Sequence, residues 1–136
     1  MSDPVIGPTH TFSDALAALP YAAFLGLEWH VDGVLHLPFR GDLVGNYRIG
    51  ALHGGVVAAA LECAAQVLLL QRGASAPSTV DFTVDYLRPA VSTDLYLRAT
   101  AVRIGRAVAN LRVDAWQTEP KRPVATGHGN FQLNTG

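Results

Sequence analysis

Residues 45–72 read GNYRIGALHGGVVAAALECAAQVLLLQR, and a few polar members interrupt an otherwise apolar run. His53, Gly54 and Gly55 stand at the mouth of an apolar run, and Glu62 follows nine positions after the histidine. The first turn of a helix presents unpaired N–H groups and the positive end of the helix dipole. Gly54 has no side chain to keep an oxygen from its N–H, so that group suits a carbonyl oxygen gaining negative charge. Removing such a donor typically slows a reaction by about 10²–10³-fold. Gly55 either shares in holding the substrate or lets helix and sheet pack closely. Glu62 is a carboxylate among alanines, valines and leucines; it can attack an acyl carbon or take a proton from an attacking water. Gln66, one turn further, can orient the carboxylate or the water, and Thr79 is a second candidate for that task.

Other reactive types fit blander roles. Cys63 adjoins Glu62 but points about 100° away round the helix, which suits a small buried hydrophobe better than a nucleophile. His10, His30, His36 and His128 are scattered over unrelated segments. With no ligand-like spacing, no metal is expected.

The elements that must position these groups follow in a simple order. TFSDALAALP, residues 11–20, reads as a short helix capped by Ser13 and stopped by Pro20. Asp32-Gly33 between two β-prone runs predicts a tight hairpin over residues 27–39. RGDLVGNYRIG reads as a loop. A helix is predicted from about Leu52 to Gln71, with Gly73 as the residue that ends it. Beyond it, Val80, Phe82, Val84 and Tyr86 alternate with Thr79, Asp81, Thr83 and Asp85, a strand with one wet face. Three further strand-like segments are punctuated by Gly105-Arg106 and Glu119-Pro120. Short connections favour antiparallel neighbours.

Bulk properties narrow the setting. The 136 residues make one domain, expected to span 1–136, with 49% hydrophobic and 15% charged residues. A net charge of −1 gives no field to hold nucleic acid or an anionic membrane, so neither is an expected partner. A single cysteine excludes an internal disulfide and suits a reducing compartment. MSDPVIGPTHTF has neither a basic start nor an apolar core, so no secretory signal is read there. The apolar run 51–70 has membrane length, but its histidine, glutamate and glutamine argue for a core helix. A cytoplasmic globular domain is expected.

One long apolar helix and one antiparallel sheet satisfy each other best when the sheet curls round the helix. The small residues Gly54, Gly55, Ala58, Ala59, Ala60, Ala64 and Ala65 would let the strands come close. The expectation is an α+β hotdog fold, a central helix wrapped by five to six antiparallel strands. Its free sheet edge and face would ask for a second copy.

On Asn46, His53-Gly54-Gly55 and Glu62, the sequence resembles hotdog-fold acyl-CoA thioesterases of the PaaI-like, phenylacetate-degradation branch. STVDFTVDYLRPA and VRIGRAVANLRVDAW also resemble that family's third strand and following hairpin. The chain has glutamate where many relatives carry aspartate. Asn46 lies seven residues before His53, one more than in many of them.

The resemblance implies hydrolysis of an acyl-CoA thioester, with Gly54 N–H as oxyanion donor and Glu62 as nucleophile or general base. It also implies that His53 positions the loop and the thioester, and that Asn46 binds water or the carbonyl. No cofactor is expected, coenzyme A being part of the substrate. Arg88, Arg103 and Arg106 are the candidate clamps for its phosphates. A homodimer or homotetramer is implied, with the active site at the subunit interface. A hotdog module that binds acyl groups or acyl-CoA without turnover is the alternative, against which Glu62 argues. Hydratases of the same architecture use a local motif not found here, and an acyl-responsive regulator would need room for a DNA-binding helix pair.

Overall fold

The structure is a computed structural model that describes residues 9–133. The reading of the first eight residues as free of a secretory signal lies outside the described residues. Helix α1 spans Phe12–Ala17, and Thr11 caps it: its Oγ1 accepts the Asp14 N–H at 3.0 Å. Ser13, the expected cap, lies inside the first turn. Pro20 does more than stop α1, because it is the first residue of a second short helix, α2 (Pro20–Leu25). At that position a proline gives up only an N–H that would be unpaired anyway.

The hairpin of β1 (Glu28–Val31) and β2 (Val34–Leu37) turns on Asp32 at φ 47° and Gly33 at φ 77°. Both are left-handed, as a tight type I′ turn requires. The expected loop over residues 40–50 is partly ordered. It holds a 3₁₀ turn (Gly41–Leu43) and a strand β3 (Val44–Asn46), which pairs antiparallel with the strand β4 (Ala51–Leu52) that follows the loop. These strands are too short to show a period in sequence. Helix α3 runs Gly54–Gln71, two residues later than expected, because Leu52 is held in β4. Gly73, at φ 104°, ends it, with the Gly73 N–H on Leu70 O and the Ala74 N–H on Leu69 O.

The last four strands are β5 (Ser78–Tyr86), β6 (Leu95–Ile104), β7 (Val108–Trp116) and β8 (Ala125–Gln132). With the first hairpin they make one antiparallel sheet of six strands, in the order β1-β2-β6-β7-β8-β5. Helix α3 packs on its inner face against β5, β6, β7 and β8, while α1 and α2 close over the helix. Ala60, Leu61, Ala65, Val67 and Leu69 of α3 are wholly buried against strand residues such as Leu97, Leu111 and Phe131. By length and composition α3 could cross a membrane, but its burial between sheet and short helices makes it the core element.

Two features at the β5 edge position the site. The Phe82 ring lies over bare backbone in β8: a Cβ at Gly127 would come within 2.5 Å of its Cζ, and one at Gly129 within 2.7 Å of its Cδ1. The regular alternation expected for β5 also fails at one point. Thr79 pairs with Phe131 and Asp81 with Asn130, so Val80 is an extra residue that bulges from the ladder. Val80 is 62% exposed instead of packed, and Thr79 joins Phe82 and Val84 on the helix side. A bulge changes the phase of a strand by one residue.

The close approach at β8 gives a stability test. In Gly129→Ala the new methyl would lie 2.3 Å from the Asp81 carbonyl oxygen, a backbone atom that cannot rotate away. The expected loss is about 1–3 kcal/mol, the usual range for overpacking, read from denaturant unfolding of wild type and variant. An Ala variant as stable as wild type would contradict the packing described.

Candidate active site

The helix mouth is built around His53. Its backbone N–H bonds to Leu43 O at 2.8 Å, which fixes the residue to the end of the 3₁₀ turn. Its Nδ1 accepts the Gly55 N–H at 2.9 Å. An accepting Nδ1 carries no proton, so the neutral ring carries its proton on Nε2. Here the imidazole acts as a helix cap. Two glycines make room for it: a Cβ at Gly55 would lie 3.0 Å from the ring, and one at Gly45 2.8 Å from His53 Cα. Gly55 thus serves the cap, and Gly45 lets β3 cross the residue.

The remaining N–H groups of the first turn are then easy to follow. Val56 and Val57 both donate to His53 O. Gly54 alone is left: among the described residues its N–H has no acceptor, and the residue is exposed. Its carbonyl accepts the Tyr86 hydroxyl at 2.8 Å. Beside it opens a cavity of about 350 Å³ lined mainly by apolar groups, including Leu52, Val57, Leu87 and Val124, with Tyr86 and Arg88 among its walls.

The carboxylate sits further along α3, half-buried. Thr79 Oγ1 donates to Glu62 Oε2 at 3.1 Å and accepts from Gln66 Nε2 at 3.3 Å. Gln66 therefore reaches the carboxylate through Thr79, not directly. One carboxylate oxygen is anchored by this relay, and among the described residues Oε1 has no partner. An anchored carboxylate with one open oxygen can attack an electrophile or accept a proton. Eight residues of helix separate it from Gly54, which at 1.5 Å per residue is about 12 Å.

Residues 49–124 match the Thioesterase superfamily. The chain belongs to that superfamily. It is also similar to the medium/long-chain acyl-CoA thioesterase YigI of Escherichia coli, at 31% identity over 120 residues, covering 74% of this chain and 77% of YigI. The Salmonella typhimurium YigI is likewise 31% identical, over 71% of this chain and 74% of its own. Among solved structures, a phenylacetic acid degradation-related protein of Ralstonia eutropha superposes with a TM-score of 0.73 at 26% identity, over 91% of this chain and all of that one (100%). A variant of the phenylacetic acid degradation protein PaaI from Thermus thermophilus gives 0.72 at 25% identity, over 85% and 99%. The hotdog architecture and the PaaI-like resemblance both hold.

The other candidates of this thioesterase are less concentrated. Asn46, in β3, uses its Oδ1 to accept the Arg48 N–H at 3.1 Å and so closes its own turn. Arg88 lines the cavity beside Gly54, and its guanidinium donates to Pro123 O. Arg103 and Arg106 flank the β6–β7 turn, which the register places beside Ser78, at the opposite end of β5 from Arg88. Nine strand residues separate the two ends, roughly 25 Å. One chain does not bring the three arginines together. Tyr86 and Gly45 were missed by the sequence reading, one as an ordinary member of an alternating strand and the other as a loop glycine.

Cys63 is buried, and its thiol is pushed up to about 12, first by burial and then by the Glu62 charge. A thiol so far from ionising is a poor nucleophile. In the folded protein Cys63 should resist a disulfide reagent at pH 8, and one thiol per chain should react after denaturation. Rapid reaction of the native thiol would overturn this reading.

Proposed function

We propose that this thioesterase hydrolyses acyl-CoA to free acid and coenzyme A in a site shared by two chains. The observation that carries the proposal is the spacing on α3. The backbone positions of Gly54, with its unpaired N–H, and of Glu62, with its free oxygen, are about 12 Å apart along one helix. A reacting carbonyl needs both within about 3 Å of its own atoms. One chain cannot supply both to one thioester, but two antiparallel helices can, each facing its N-terminus to the other's carboxylate.

The free edge of β5 supports the same arrangement. Among the described residues this strand pairs only with β8, and its Tyr86 is 57% exposed. An antiparallel pairing of β5 with its copy would set Thr79 and Glu62 of one chain against Tyr86 and Gly54 of the partner subunit. It would also bring Arg88 of one chain to the end of the partner that carries Arg103 and Arg106, giving coenzyme A phosphates cations from both. A tetramer would be two such dimers.

In this site the Gly54 N–H receives the carbonyl oxygen as it becomes an oxyanion, and Glu62 supplies the other half of the chemistry. Either its free oxygen attacks the carbonyl carbon, the C–S bond breaks to release the thiolate, and water hydrolyses the resulting anhydride. Or it takes a proton from a water that attacks directly, and the thiolate leaves with that proton. His53 holds the turn, and Asn46 lies in the strand pair beside it with its amide Nδ2 open to water or carbonyl. The apolar cavity beside Gly54 suits an acyl chain, and the curated relatives' names favour medium or long ones. A module that only binds would have no use for an anchored carboxylate with one open oxygen.

Thiol release across a panel of acyl-CoAs tests the activity and ranks the acyl class. Glu62→Gln keeps the shape and the Thr79 contact, so it should remain folded while turnover falls by at least about 10²-fold. A stable Gln variant with undiminished turnover would sink the assignment of Glu62. The shared site has its own test. Gly54→Pro removes the donor at the one helical position that tolerates proline, after a His53 already extended at ψ 130°. Mixing inactive Glu62→Gln and Gly54→Pro chains should restore up to about a quarter of wild-type activity, since each mixed dimer has one intact site. No recovery after confirmed exchange would place the site within one chain.

A further inference from the structure

We infer that Tyr86 is a positioning residue that holds the Gly54 N–H in its working direction. The inference rests on the proposed role of Gly54 as oxyanion donor and concerns what keeps that donor preorganised. Two consecutive glycines at a helix start are the most pliable pair a chain can place there. A donor counts in catalysis only if it already points where charge will develop. Something must therefore hold this turn still.

The Gly54–Gly55 peptide group is held at both its polar ends. Its N–H, that of Gly55, donates to His53 Nδ1 at 2.9 Å. Its carbonyl, that of Gly54, accepts the Tyr86 hydroxyl at 2.8 Å. The Gly54 N–H belongs to the preceding peptide, whose carbonyl, that of His53, accepts the Val56 and Val57 N–H groups; with the peptide plane on the other side of Gly54 also fixed, little torsional freedom is left to the donor. The Tyr86 hydroxyl reaches it from the far end of β5, 32 residues along the chain. The tyrosine ring stands beside Gly54, with its atoms 3.5–3.7 Å from where a Cβ would be, and walls the cavity there.

Burial within its own chain does not explain this tyrosine. At 57% exposure its ring contributes little to the core, and Phe in its place would pack as well. What phenylalanine cannot do is donate to Gly54 O.

Tyr86→Phe is therefore the test, assayed with the best acyl-CoA of the panel beside wild type and Gly54→Pro. The expected result is a kcat lower by about tenfold with KM within about twofold, at an unchanged melting temperature. Amide exchange at Gly55, followed by NMR, should quicken as the peptide loosens. A role in folding alone would move the melting temperature and leave kcat of the folded enzyme intact. Wild-type kcat in Tyr86→Phe, with Gly54→Pro inactive, overturns the inference and leaves the proposed function standing. Full turnover by Gly54→Pro removes the donor itself, and the inference falls with it.

Discussion

A helix mouth exposes four N–H groups, and in this thioesterase the cap residue His53 accounts for three of them. It takes the Gly55 N–H on its ring and the Val56 N–H on its carbonyl, and gives its own N–H to Leu43 O. The helix start is thereby stabilised and nearly closed, and a single donor at Gly54 stays open. A more ordinary cap, a serine or an aspartate, would also satisfy a backbone donor, but it would not fill the space between β3 and α3 as the imidazole does. The flanking glycines follow from that choice: Gly45 and Gly55 are small because the ring and backbone of His53 occupy the space where their side chains would be.

The carboxylate obeys the same logic of partial satisfaction. A charge in an apolar helix is costly unless it is hydrogen-bonded, and Thr79 with Gln66 behind it supplies a bond to one oxygen only. Complete satisfaction would stabilise the core and disarm the group. Both ends of the proposed chemistry thus rest on one polar atom left over after its neighbours have been paired. The helix between them keeps the two apart, and in the proposed shared site that separation becomes a reason for two chains to associate.

Much of this was legible in the sequence, because its strongest signals are local. Asp32-Gly33 specifies its turn by backbone sterics, and the run from Gly54 to Gln71 specifies a buried helix by composition and length. The spacing of His53 and Glu62 marks the candidate site within that run. What stayed hidden depends on contacts between distant segments. Nothing in PYAAFL announces a second helix without the core it covers. Tyr86 reads as one more alternating residue until β5 is laid beside α3. The three arginines read as candidate clamps for one coenzyme, and a sequence does not show that Arg88 and Arg106 lie at opposite ends of the same sheet.

The bulge at Val80 leaves β5 locally frustrated. By pattern alone, the strand would be better satisfied without it, with Val80 packed inward and Thr79 turned to water; burying a valine fully is worth about 1.5–3 kcal/mol. The observed phase forgoes that gain and gives Glu62 its hydroxyl partner. Two registers therefore compete within one strand, one favoured by hydrophobic burial and the other by the carboxylate. Sequence pattern and site disagree at a single residue. A polar side chain at position 80 would reconcile them, since the straight register would then have nothing to gain.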